Sequence, residues 1–146
     1  MGARGPRSEG VNLSTQGATT SASPGVENPV LSILVVDDEV DLLATYRRLL
    51  TRDGFRVVTA TSCEGGLAAL AREHFALVIA DLRLPDGDGL EIVRRASASN
   101  APTPVIVVSG YGRGAEAIGA GAAAFFSKPF QASALAARVR ALISTA

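Results

Sequence analysis

From Val30 onward the chain alternates between two kinds of apolar pattern. Four short runs are continuous and largely β-branched or aliphatic: Ile33-Leu34-Val35-Val36, Phe55-Arg56-Val57-Val58, Ala76-Leu77-Val78-Ile79 and Val105-Ile106-Val107-Val108. Runs of that length without polar alternation predict strands buried on both faces of a sheet. Ala122 to Phe126 is a weaker fifth. Between them apolar residues recur at helical spacing: Leu42, Tyr46, Leu49 and Leu50, then Leu67, Leu70 and Ala71. A closing stripe of Leu135, Val139, Leu142 and Ile143 predicts a last amphipathic helix. Thr61 and Glu64 have the spacing of a capping box that would open the second helix.

Five strand-to-helix alternations with short connections imply a three-layer α/β domain. Its core is a doubly wound, five-stranded parallel sheet with right-handed crossovers and helices on both faces. Residues 1–29 have another texture, rich in Gly, Ser, Thr, Ala, Pro and Asn with isolated apolar residues. Such a segment does not repay its ordering entropy, so we expect a flexible tail at 1–29 and a folded domain at 30–146.

Composition narrows the function. The 146 residues are 47% apolar, enough for one domain with a proper core. Fourteen basic residues against fourteen acidic ones leave none of the positive excess of a nucleic-acid or anionic-membrane binder. One cysteine, Cys63, excludes an internal disulfide or a multi-cysteine zinc site and fits a reducing compartment. No apolar run reaches the ~20 residues of a membrane span, and the first residues lack the order of a secretory signal. A cytoplasmic location, without membrane insertion, is expected.

In a doubly wound sheet ligands sit beyond the carboxyl ends of the strands, and the polar residues of this chain concentrate there. Asp37-Asp38-Glu39 follows the first run, Asp81 the third, Ser109-Gly110 the fourth, and Ser127-Lys128-Pro129 the fifth. A nucleotide site would carry glycines after the first strand. Clustered carboxylates need a cation, and hard oxygen ligands with room for water favour Mg²⁺. Beside the metal, ionised Asp81 is a nucleophile suited to accept a phosphoryl group, with Lys128 and the Ser109 hydroxyl holding its oxygens. Each residue alone also has a plainer role: the acids as helix caps, Lys128 as a solvated charge, Ser109 as a loop hydroxyl. His74, ahead of the third strand, is expected to be an exposed loop residue. Pro85-Asp86-Gly87-Asp88-Gly89 reads as a turn before a helix capped near Asp88, with glycines supplying positive φ angles.

Over about residues 31–144 the chain resembles the receiver domain of bacterial two-component response regulators. Ile-Leu-Val-Val-Asp-Asp-Glu, Asp-Leu-Arg-Leu-Pro-Asp-Gly-Asp-Gly-Leu, Val-Ser-Gly-Tyr-Gly and Phe-Phe-Ser-Lys-Pro-Phe occur in the family's order. The resemblance implies a flavodoxin-like (βα)5 fold, with Asp81 as phosphoacceptor and Asp37 and Asp38 as the pair holding Mg²⁺. It implies the Arg83 backbone carbonyl as a further metal ligand, Ser109 as the switch hydroxyl, Lys128 as the conserved-type lysine and Phe125 as the switch aromatic. It also implies a cis bond at Lys128-Pro129. Arg83 and Tyr111 would flank the site and are placed to tune the lifetime of the phosphoryl group.

The segment between Ser109 and Lys128 is about one helical turn shorter than in comparable receivers and carries Gly110, Gly112, Gly114, Gly119 and Gly121. At a cost of roughly 0.5–1 kcal/mol per helical glycine, the fourth helix should be short or frayed. Gln131 is a weaker start for the last helix than an acid or hydroxyl. The expected function is a phosphorylation-activated switch, not an enzyme in its own right. It would receive the group from a sensor histidine kinase or histidine phosphotransfer protein. With no output domain after the last helix, it would act on a downstream target protein. Two alternatives stand beside it: a phosphorylation-independent interaction module, and a haloacid-dehalogenase-type phosphatase, which would carry its acids two positions apart after the first strand.

Overall fold

The computed structural model describes residues 29–110 and 112–144. The expected tail, apart from its last residue, and Tyr111 lie outside the described residues. The compact unit that holds the site begins at Leu31.

Five strands form one parallel sheet: β1 (Ser32–Val36), β2 (Arg56–Ala60), β3 (Leu77–Ala80), β4 (Val105–Ser109) and β5 (Ala124–Ser127), in the order β2-β1-β3-β4-β5. The connecting helices are α1 (Val40–Arg52), α2 (Cys63–Arg72), α3 (Leu90–Ala98) and α4 (Gly114–Gly119), and α5 (Ala132–Ser144) closes the domain. The chain crosses β1 on its way from β2 to β3, so the switch point of the sheet lies between β1 and β3.

Alternate strand residues feed two separate cores, as the period of two requires. Ile33, Val35, Leu77, Ile79, Ile106 and Val108 face α1 and α5, where Tyr46, Leu50, Leu135 and Val139 are buried with them. Leu34, Val36, Val78, Ala80, Val105 and Val107 face α2, α3 and α4. Helix α1 buries Leu43, Tyr46 and Leu50 at i, i+3 and i+7, with Asp41 in its first turn and Arg52 in its last, the charge order its dipole favours.

Two local expectations are corrected. Helix α2 is not opened by a Thr61–Glu64 capping box: Ser62 is the N-cap, and its hydroxyl accepts from the Gly65 N–H at 3.0 Å. Strand β2 runs to Ala60, so the chain turns one residue later than the box needs. In the Pro85 to Gly89 turn neither glycine has positive φ; among the described residues those are Gly54, Gly112 and Gly121. Gly89 is required for space, because a Cβ there would drive into the Asp81 carbonyl and lie 3.0 Å from the Leu82 Cα. Helix α4 has six residues, short as its glycines imply.

Candidate functional site: an acidic, lysine-paired pocket at the switch point

Register brings the acids together. Val36 pairs with Ala80, so the next residues, Asp37 and Asp81, leave β1 and β3 side by side. The backbone ladder continues through both: the Asp81 N–H donates to the Val36 carbonyl at 2.9 Å and the Asp37 N–H to the Ala60 carbonyl at 3.0 Å. Ser109 pairs with Ser127 across β4 and β5, and the Lys128 N–H donates to the Ser109 carbonyl at 3.0 Å. The Lys128–Pro129 peptide bond is cis, as the resemblance implied.

Asp37 and Asp81 are buried, whereas Asp38 is exposed at the mouth. One carboxylate oxygen from each of the three lies within 4.8 Å of the others. The Lys128 Nζ donates to Asp37 Oδ2 at 2.8 Å, to Asp81 Oδ2 at 3.0 Å and to Glu39 Oε1 at 3.0 Å. Burial pushes the Asp37 carboxyl above its usual range, and the hydrogen bonds from Lys128 and the Glu39 N–H reduce that shift without cancelling it. Burial works against the Lys128 ammonium, but its three carboxylate partners outweigh it and hold the group well above its usual value.

Ser109, Arg83 and Phe125 are the remaining expected site residues among those described. Ser109 is fully buried, and its Oγ has no hydrogen-bond partner. A buried hydroxyl without a partner costs free energy. Arg83 is exposed on the rim of a cavity of about 500 Å³ that Asp38, Asp81 and Lys128 also line. Its N–H reaches Asp81 Oδ1 at 3.3 Å. Phe125 is half-buried with its ring against Gly114, where a Cβ would sit only 3.1 Å from Phe125 Cδ2. His74 is exposed at the other end of the sheet, as expected.

Sequence reasoning gave no role to Glu39 or Asp86, and the structure gives Asp88 and Tyr46 partners that it did not foresee. Glu39 shares the lysine. Asp86 caps α2 from a distance, accepting from the Cys63 N–H at 2.7 Å and the Glu64 N–H at 2.9 Å. Asp88 caps α3 through the Leu90 N–H at 3.0 Å, near the expected place, and also pairs with Arg113 at 2.8 Å. Tyr46 stacks on Phe130 at 5.5 Å, two residues past Lys128, and its buried hydroxyl has no partner. Only the run of three acids after β1 could have flagged Glu39; the others depend on contacts across the chain.

The sheet order and this pocket define an α/β domain whose carboxylates and lysine converge at the switch point. Residues 33–140 match the family model of the response regulator receiver domain, and the chain belongs to that family. It is 32% identical over 117 residues to the transcriptional regulatory protein FixJ of Bradyrhizobium diazoefficiens, covering 78% of this chain and 57% of that protein. It is 39% identical over 112 residues to the KDP operon transcriptional regulatory protein KdpE of Escherichia coli, covering 75% and 49%. A crystal structure of a response regulator receiver domain protein from Clostridium thermocellum superposes with a TM-score of 0.73 at 30% identity, covering 80% of this chain and 96% of that one. The chain thus spans about half the length of these two curated relatives. It is a phosphorylation-activated signalling module of the two-component type.

Proposed function

We propose that Asp81 is the phosphoacceptor and takes its phosphoryl group from a phosphohistidine on a sensor histidine kinase or histidine phosphotransfer protein. The observation that carries this is the placement of its buried carboxylate at the switch point, within 3.0 Å of the Lys128 ammonium and beside the Asp37–Asp38 pair. An Asp81 oxygen attacks phosphorus as the P–N bond breaks, and the electron pair returns to the imidazole nitrogen. Lys128 and the Ser109 Oγ, which lacks a partner, then take up phosphoryl oxygens.

The donor set fits a hard divalent cation: oxygen ligands only, close together, with Asp38 open to water. Asp37, Asp38, Asp81 and the Arg83 carbonyl would hold Mg²⁺, which when bound neutralises charge on the carboxylates and the phosphoryl oxygens. Lys128 alone cannot do so, since it faces three carboxylates.

Movement of Ser109 toward the phosphoryl group would free Phe125 to turn inward. Phe125 rests on Gly114, so its departure changes the seat of α4 and shifts a two-state equilibrium. Arg83 at the rim, with Tyr111, would set water access and hence the lifetime of the aspartyl phosphate. We place the receiver at residues 30–146, with 1–29 as a tail. It acts in the cytoplasm as a phosphoacceptor rather than a turnover enzyme and signals to a downstream target protein. Among the described residues no helix is long and apolar enough to cross a membrane.

The test is intact mass after incubation with Mg²⁺ and acetyl phosphate. One added phosphoryl group is expected on the wild type and none on Asp81→Asn. An adduct that survives the substitution refutes the assignment of Asp81.

A further inference from the structure

Glu39 occupies the N-cap position of α1, yet its side chain makes no capping bond. It reaches instead across the pocket to Lys128, a residue that enters from the far side of the sheet. The three partners of that ammonium differ in one respect that decides their behaviour. The Asp37 side chain is 1% exposed and that of Asp81 9%, but that of Glu39 is 60% exposed. An ammonium has three N–H donors, and all three are taken. An incoming phosphoryl oxygen must displace one partner. Either buried aspartate would be left without a bond that water could readily replace, whereas the Glu39 carboxylate rehydrates at once. Glu39 is therefore the partner that yields.

Its position adds a second consequence. Glu39 and Lys128 together line the cavity of about 500 Å³ that opens onto Asp81. The same two residues line a groove of about 840 Å³ on the other side, floored by Val40, Leu42, Pro129 and Phe130. The ion pair is thus a wall common to both. When it opens, a free carboxylate stands at the mouth through which a phosphodonor arrives.

Resting on the phosphoacceptor reading above, we propose that Glu39 is a donor-selecting residue: it releases Lys128 to the arriving phosphoryl group and discriminates by charge against small, highly anionic phosphodonors. With acetyl phosphate, Asp81–O–P forms as the P–O bond breaks and acetate leaves with the electron pair. With phosphoramidate, the P–N bond breaks and ammonia leaves. Acetyl phosphate carries two negative charges at neutral pH and zwitterionic phosphoramidate a net single one. Repulsion between unit charges about 6 Å apart in water amounts to about a threefold change in rate per donor charge.

The experiment measures initial rates of Asp81 phosphorylation by intact mass, with both donors and Mg²⁺, for wild type, Glu39→Gln and Glu39→Asp. Glu39→Gln is expected to be about tenfold faster with acetyl phosphate and about threefold faster with phosphoramidate, both gains shrinking at high salt. Glu39→Asp, which keeps the charge but shortens the reach, should stay slow with acetyl phosphate. Equal gains with both donors, no gain with either, or an Asp variant as fast as the Gln variant each overturn the role of Glu39 while leaving the phosphoacceptor reading intact. A wild type and a Glu39→Gln variant that both stay unmodified with either donor overturn both.

Discussion

Three carboxylates crowd one pocket, and Asp38 is the one of them that Lys128 does not reach. Asp38 is exposed and, among the described residues, makes no hydrogen bond or ion pair of its own. Removing its charge costs no bond. Its carboxylate oxygen nevertheless lies within 4.8 Å of those of Asp37 and Asp81, and Lys128 pairs with those two but not with it. Repulsion between unit charges about 5 Å apart is about 1 kcal/mol in bulk water and about 3 kcal/mol at an effective dielectric of about 20. Two such repulsions act on Asp38, at the watery end of that range and partly offset by Lys128. Asp38→Asn should therefore stabilise the protein by about 1–2 kcal/mol in the presence of a chelator. In millimolar Mg²⁺ the order should narrow or reverse, because the wild type gains from the cation and the variant loses a ligand. Urea unfolding followed by circular dichroism, with EDTA and with Mg²⁺, gives both numbers. A variant that is less stable than wild type in EDTA, or that gains as much from Mg²⁺, would refute the electrostatic account.

Two further predictions concern the loop behind the site and the fourth helix. The N–H groups of Glu64 and Cys63 hold the Asp86 carboxyl below the ordinary aspartate value of 3.8. A carboxyl depressed on folding contributes its stability in full above the ordinary value and loses it as pH falls through the folded one. Asp86→Asn should accordingly lower the urea midpoint at pH about 6, with the gap closing as pH falls below the ordinary value and through the depressed one; a gap that persists in strong acid would contradict the role of the charge. Gly89→Ala should cost about 1–3 kcal/mol through the clash with the Asp81 carbonyl, while Gly119→Ala, with open space and ordinary φ, should gain up to about 1 kcal/mol. Thermal melts of the two variants that shift in the same direction would refute this pairing of clash and open space.

Much of the frame was legible because its signals are local. Continuous apolar runs found all five strands to within about two residues, and the residues just past them supplied Asp37, Asp81, Ser109 and Lys128. Helix α4 was readable as short or frayed from its glycines and the short segment that holds them. What escaped depends on contacts that no spacing encodes. The Asp86 bonds to α2 span 23 and 22 residues, and the Arg113–Asp88 pair spans 25. Gly89 reads from the sequence as a turn glycine, yet only the approach of the Asp81 carbonyl shows that it answers a demand for volume. The α2 cap slipped by one position because the end of β2 decides which hydroxyl is free, and that end is set by pairing with β1.

The five residues from Pro85 to Gly89 are exposed for the most part and rich in glycine and acid, the texture of a segment that tolerates insertion. Here it is the reverse. Asp86 seats the start of α2, Asp88 seats the start of α3 and grips Arg113 at the start of α4, and Gly89 rests on the carbonyl of Asp81. One added residue would unseat two or three helix starts at once and push on Asp81 itself. Among the surface loops of this domain, length variation should be least tolerated where composition most invites it.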